Sequence, residues 1–446
     1  MSEILRKGAH IGVGCFALLY AVLPPAVCLA LAIVALVHNA ILLPRYARLL
    51  WRENDHRRGY STGVIAYSVT LLLLCTIFWN RPDIAACGWG VLAFGDGMAS
   101  LAGRSLRGPR LPWNREKSWA GFAAFALCAS TACFLLASFV RAHAQALQSL
   151  PHDHLLLSSS IAGLAGAVVE TLPLSLDDNI SAPLGAAAMF ALVESFDLSA
   201  WSASMPSVQT RALPFLSLSL LLALFAWRAK TTSASGLFAG VILAFICGAF
   251  GGPSLFAALV AFWSTAQIAT WTGWKQKASR GIAQSDGGRR EARHALVKLS
   301  IPALLAIVAR ASLAPRPYEL AALAALAAAA CDTVATEIGQ LSKERARRLP
   351  LLETVPAGTP GAMTLLGWSA GIIAAALIFL AAWAAGGPAL WDFPLILCAA
   401  VVACFMESAI GSFLVPRALI GKSTLNFVLS AGAAWLAWAM APGFVR

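Results

Sequence analysis

The sequence predicts an all-α polytopic membrane protein, with about fifteen transmembrane helices in two bundles, the N-terminus inside and the C-terminus outside. Three observations carry this. Of 446 residues, 59% are hydrophobic and 12% charged, more apolar surface than the core of a soluble chain of this length can hide. The apolar residues fall in blocks of roughly 15–23, close to the ~20 that span a hydrocarbon core of ~30 Å. With blocks alternating in direction from an inside N-terminus, 27 of the 33 Lys and Arg fall on one side, the bias of cytoplasmic loops. That placement accounts for the net charge of +12 without nucleic acid.

In order, the blocks are 9–23, 24–43, 62–79, 84–102, 119–140, 155–172, 181–195, 211–228, 235–250, 253–272, 299–313, 318–340, 364–383, 390–414 and 424–441. Two of them, 9–23 and 181–195, are short and read as broken or tilted helices. The polar stretch 196–210 reads as an outside loop, and the chain divides into domains at 1–204 and 205–446. The ten cysteines include no CxxC pair and read as small apolar packing residues.

Ionisable groups inside spans are costly and mark function. In the first domain they share the cytoplasmic side. Asp96 is the only charge between Ile84 and Ala102, and glycines flank it. A basic loop follows, with Arg104, Asn114, Arg115, Lys117 and Ser118. Glu170 ends the sixth block, and the next inside turn carries Asp177, Asp178 and Asn179 instead of basic residues. Carboxylates with Asn suit Mg²⁺ completed by substrate phosphates. Lys and Arg hold phosphate, and glycines such as Gly95 and Gly97 let backbone N–H groups approach it. Together these describe phosphoryl transfer.

Four motifs then carry a resemblance. "RKGAH" (6–10), "GDGMASLAGR" (95–104), "NREKSWAG" (114–121) and "VETLPLSLDDNISAPL" (169–184) resemble those of the phytol kinase and dolichol kinase family of CTP-dependent lipid-alcohol kinases. The resemblance implies transfer of a nucleotide γ-phosphate, usually from CTP, to a long isoprenoid alcohol. By resemblance and chemistry Asp96, Asp177 and Asp178 are Mg²⁺ or base candidates, with Glu170 beside them. Arg6, Lys7, Arg104, Arg115, Lys117 and Ser118 are placed on phosphate, and Asn114 and Asn179 orient. His10 is either the base for the alcohol or a helix-end hydrogen bonder.

The second domain repeats the logic. Asp332 and Glu337 end an apolar helix before a basic loop, and five residues set them about 140° apart. "ETVPAGTPGAMTLLG" (353–367) gives a Gly/Pro turn, and Glu407 lies deep in apolar sequence. "TTSASGLFAG" (231–240), "DTVATEIG" (332–339) and "VPAGTPGAMTLLG" (355–367) resemble the membrane family that contains phytyl-phosphate kinase. That implies Asp332, Glu337 and Glu407 on a metal and Thr333, Gly358 and Thr359 on phosphate. The sequence departs from this family: Lys298 stands where it has Asn, and Glu407 where it has Asp. "IGKST" (420–424) is not a Walker A loop, because Pro416 stands where that pattern needs Gly.

The expectation is a bifunctional multi-pass membrane enzyme, in a bacterial inner membrane. It phosphorylates an isoprenoid alcohol and then the isoprenyl phosphate, using Mg²⁺ and CTP or another nucleoside triphosphate, with no nucleic-acid partner. The alternatives are a CTP-dependent lipid cytidylyltransferase and a membrane transporter.

Overall fold

This computed structural model describes residues 2–441, except 47–54, 57–58, 107, 149–152, 173–175, 283, 285–287, 344, 357–358 and 418. Each of the fifteen apolar blocks lies on helix. Nine helical segments among the described residues are long and apolar enough to cross a membrane: 25–46, 82–105, 119–143, 198–228, 252–271, 292–310, 315–339, 365–384 and 390–414. Three apolar helices, 62–77, 155–171 and 234–249, are shorter. The chain is a multi-pass membrane protein built from two compact units, 1–195 and 196–446.

The first unit contains α1 (Ser2–Gly14, continuing as a 3₁₀ turn Cys15–Ala21), α2 (Pro25–Val37), α3 (Thr62–Ile77), α4 (Pro82–Gly90), α5 (Asp96–Ser105), α6 (Trp119–His143), α7 (Leu155–Thr171) and α8 (Asp178–Glu194). Its core packs Leu74, Leu92, Phe125 and Phe190, all 1% exposed or less. A π-helical turn, Val91–Gly95, joins α4 to α5. The 3₁₀ continuation of α1 accords with a broken first block. Cys87 on α4 and Cys133 on α6 form a disulfide, so these two are not free packing residues.

At the end of α4 remote from Asp96, Asp83 and Arg141 are fully buried. Arg141 Nε donates to Asp83 at 2.9 Å, Arg81 also pairs with Asp83, and Arg141 pairs with Glu194. This network ties α4, α6 and α8 together.

The second unit contains α9 (Leu198–Arg228), α10 (Ala234–Ala249), α11 (Gly252–Trp271), α12 (Trp274–Ser279), α13 (Ala292–Arg310), α14 (Pro315–Gly339), α15 (Leu365–Ala384), α16 (Phe393–Leu414) and α17 (Lys422–Met440). The expected loop at 196–210 is corrected. Asp197 caps α9, its side chain accepting from Ala200 N at 2.8 Å, so the Ser- and Pro-containing stretch is already helix. The division falls at 195/196, and the boundary expected at 204/205 lies inside α9.

Helix α14 is the centre of this unit. Every residue from Leu320 to Cys331 is under 5% exposed. A helix apolar all round is a buried one, and its alanines let neighbouring helices approach closely. It ends at Asp332–Gly339, so packing fixes that acidic end. A small antiparallel sheet follows, β1 (Ala346–Arg348) between β2 (Glu353–Val355) and β3 (Ala362–Met363).

Candidate active sites

In the first unit, Asp96 opens α5 directly after the π-helical turn, a local widening often found at functional sites. Lys7 of α1, 3% exposed, donates to Asp96 Oδ2 at 2.6 Å. His10, one turn on, places Nε2 2.8 Å from the Leu92 carbonyl and 3.4 Å from Asp96 Oδ2. A carbonyl only accepts, so Nε2 carries the proton and His10 braces α1 against the turn. The base role offered for His10 therefore does not fall to Nε2.

A second cluster adjoins. Lys117 Nζ donates to Glu170 Oε1 at 2.5 Å and to Asp178 Oδ2 at 3.3 Å. Asn114 Nδ2 donates to the Thr171 carbonyl at 3.0 Å, which docks the basic loop on the end of α7. Asp96 lies within electrostatic reach of both Lys117 and Glu170, so the clusters form one site. Lys117 stands outside the membrane-spanning helices. Its burial alone would lower its pKa, but Glu170 and Asp178 more than reverse this and raise it above the usual lysine value. It stays charged.

Several expected phosphate contacts are corrected. A Cβ on Gly95 would meet the Phe125 ring at 2.9 Å, and one on Gly97 would meet Ile11 at 2.6 Å. These glycines let α6 and α1 close on the turn and are not presented to a phosphate. Ser118 is buried and caps α6, its Oγ accepting from Gly121 N at 3.2 Å. Asp177 caps α8, its Oδ1 accepting from Asn179 N at 3.0 Å and Asn179 Nδ2 at 2.8 Å. Asp177 and Asn179 thus shape the turn that presents Asp178. Arg104 and Arg115 are exposed beside the site. The Arg6 side chain lies outside the described residues.

In the second unit, Lys298 Nζ donates to Asp332 Oδ2 at 3.0 Å and Thr333 Oγ1 at 2.7 Å. Glu337 belongs to a different cluster: its carboxylate accepts from Lys277 Nζ at 2.6 Å and Gln284 Nε2 at 2.5 Å. At 2% exposed, with both oxygens engaged, Glu337 anchors α12 and does not share a metal with Asp332, as the angle between them requires. Glu407 accepts from Ser408 Oγ at 3.3 Å and lies within electrostatic reach of Asp332, Lys298 and Lys422. Thr359 Oγ1 donates to the Pro356 carbonyl at 2.8 Å, holding its own loop. Gly358 lies outside the described residues.

The two units share a local construction that motif reading missed. Asp96-x₂-Ala99-x₃-Gly103 on α5 matches Asp332-x₂-Ala335-x₃-Gly339 on α14. Each acid pairs with a lysine from another helix, Lys7 or Lys298. Each final glycine faces the hydroxyl that caps the next long helix, Ser118 Oγ at 3.2 Å or Thr364 Oγ1 at 3.1 Å from an added Cβ. Each cap accepts from a glycine N three residues on, Gly121 at 3.2 Å or Gly367 at 3.1 Å. The signal was present as D-x₂-A-x₃-G followed by S/T-x₂-G.

Among the described residues, no three His, Cys, Asp or Glu side chains stand together as a ready metal site. Glu170 and Asp178 share one lysine and are the pair that fits Mg²⁺, which commonly takes one or two carboxylates and completes its shell with phosphates and water.

Residues 217–430, within the second unit, match the family described as "Integral membrane protein DUF92". The chain is also similar to plant lipid-alcohol kinases. It is 32% identical over 132 residues to the probable chloroplastic phytol kinase of Triticum aestivum, covering 29% of this chain and 43% of that one. It is 32% identical over 130 residues to phytol kinase 1 of Arabidopsis thaliana, covering 27% and 40%. It is 34% identical over 140 residues to the farnesol kinase of Arabidopsis thaliana, covering 30% and 44%. The match spans less than half the length of each. No solved structure matches the chain.

Proposed function

We propose that the first unit is an isoprenoid-alcohol kinase and the second an isoprenyl-phosphate kinase, each drawing its γ-phosphate from a nucleoside triphosphate such as CTP. The observation that carries the first step is the joint site of Lys7, Asp96, Lys117, Glu170 and Asp178. It gathers two lysines and three carboxylates at one end of the bundle. The similarity to named phytol and farnesol kinases supports the alcohol as acceptor.

In the reaction the alcohol oxygen bonds to the γ-phosphorus as the β–γ bridge breaks. The nucleoside diphosphate leaves, and the alcohol's proton passes to a base. Asp96 is the base candidate, set at the start of α5 with its Oδ2 paired to Lys7. Lys117 is placed to balance charge on the transferred phosphoryl group, and the exposed Arg104 and Arg115 take the outer phosphates. Mg²⁺ held at Glu170 and Asp178 would neutralise the triphosphate, taking the place between them that Lys117 leaves as it turns to the transferred group.

The repeated construction supports the second step: Asp332 and Lys298 stand in their unit as Asp96 and Lys7 do in theirs. The test is full-length protein with a prenyl alcohol, Mg²⁺ and either α- or γ-labelled CTP. Label is expected in the lipid from γ-labelled CTP alone. Label from α-labelled CTP would instead mean a cytidylyltransferase. Asp96→Asn should give no lipid product, and Asp332→Asn should accumulate monophosphate. Wild-type protein stopping at the monophosphate would sink the second step.

A further inference from the structure

The second unit holds a partly open cavity of about 150 Å³ between α9, α10, α11, α13 and α14. Most of its wall is apolar, including Leu222, Leu259 and Trp263, while Arg290, His294 and Lys298 also line it and no carboxylate does. Two buried polar atoms without a hydrogen-bond partner, Ser219 Oγ and Gln267 Nε2, line this same cavity. Their residues are 1% and 4% exposed. A buried donor left unpaired in an apolar wall is costly, and a ligand that supplies an acceptor removes that cost.

The polar groups are ordered along the wall. Arg290 Nη2 donates to Thr270 Oγ1 at 3.1 Å. Gln267 is three residues inside Thr270 on α11, about one turn, and Leu259 is eight residues further, ~12 Å at helical rise. The cavity therefore runs from cations, past one amide, into hydrocarbon. The backbone holds this order: Arg290 N donates to the Thr231 carbonyl, and the Arg290 carbonyl accepts from Ser233 N at 3.0 Å. An amphiphile with a small anionic head and a slim apolar tail fits that sequence of surroundings. The volume is about that of an engineered cavity that takes up benzene. It has room for the first branched unit of a prenyl chain, and the rest must leave between helices into the lipid.

We propose that this cavity seats the head end of an isoprenyl monophosphate. Arg290 and Lys298 hold the phosphate, Gln267 donates to the ester oxygen, and the first isoprene unit lies against Trp263 and Leu259. The proposal rests on reading the second unit as an isoprenyl-phosphate kinase and names its acceptor site. Because Lys298 also pairs with Asp332, the phosphate is delivered to the acid end of α14. Lining a binding pocket also gives a use to the Lys298 that departs from the family's Asn.

The test measures equilibrium binding to full-length protein in micelles, without nucleotide. The probes are labelled geranylgeranyl monophosphate, geranylgeraniol and inorganic phosphate. The monophosphate should bind at least about tenfold more tightly than either other probe. Ala223→Trp, which fills the cavity, should weaken it by about tenfold or more, and Gln267→Leu by about threefold or more. Should Ala223→Trp not fold, a monophosphate carrying a photoreactive group on its first isoprene unit should label α9, α10 or α11 of the wild-type chain. Unchanged binding in both variants, phosphate binding as tightly as the lipid phosphate, or label confined to other helices would overturn the proposal. The kinase reading fails separately: these binding results without diphosphate formation remove the second step and leave the pocket. Normal diphosphate formation with unchanged KM in both variants removes the pocket and leaves the step.

Discussion

Lys117 separates groups that do chemistry from groups that hold shape. Its ammonium lies between Glu170 and Asp178, and its pKa is raised in the folded protein. The stabilisation from this pairing is therefore full below the ordinary lysine pKa and is lost only as pH rises through the higher folded value. Activity should not decline from about pH 7 to pH 9 on account of this group. Lys117→Met should lower kcat/KM by at least about a hundredfold, measured by γ-label transfer to prenyl alcohol. Ser118→Ala, next along, should behave differently. It removes an N-cap worth about 1 kcal/mol, so thermal stability should fall while kcat/KM of the folded protein holds. The residue types of this site were legible because charge in apolar sequence is expensive. Roles were not, since a cap such as Ser118 or Asp177 and a ligand look alike until the partner is known.

At the scale of elements, the stretch "TTSASG" (231–236) shows what a motif can be for. Thr232 Oγ1 donates to the Arg290 carbonyl at 2.9 Å, and a Cβ on Gly236 would overlap that carbonyl. The motif docks the segment that brings Arg290 to the cavity. Gly236→Ala should destabilise by about 1–3 kcal/mol. Gly240, one turn on in α10, has nothing within 4 Å of an added Cβ, so Gly240→Ala should stabilise by about 0.5–1 kcal/mol. Thermal unfolding of the two variants checks the pair, and equal shifts would refute this account of Gly236. The shared acid-to-glycine construction of the two units escaped motif reading for a physical reason. The hairpins between its halves differ in length, with Ser118 fifteen residues past Gly103 and Thr364 twenty-five past Gly339. The contacts are conserved in space while the spacing along the chain is not. The π-helical turn before Asp96 has no periodic signature of its own, and apolar pattern alone reads 84–102 as one straight span.

Over the whole molecule, hydropathy placed all fifteen apolar blocks on helix, because each must satisfy its backbone internally to enter lipid; nine helical segments among the described residues are long and apolar enough to cross it. Hydropathy could not divide the chain, since polar residues at 199–210 extend a helix as readily as they form a loop. The sidedness expected from the basic residues has a direct test. In the first unit Arg115 and Asp153 are exposed, and in the second Arg345 and Leu390 are. Single cysteines at these four positions, read above the background of native Cys15 and Cys398, can be labelled with an impermeant maleimide in intact cells. Asp153→Cys and Leu390→Cys should react. Arg115→Cys and Arg345→Cys should react only after permeabilisation. The second pair lies in the loops next to Lys117 and after Asp332, where nucleotide must arrive. Labelling of Arg115→Cys from outside would put the first site away from the cytoplasmic nucleotide pool, and no arrangement of Asp96 and Lys117 would then sustain a kinase. Agreement in one unit and reversal in the other would leave the monophosphate on the wrong face for the second step, so the two-step reaction requires both units to share one orientation.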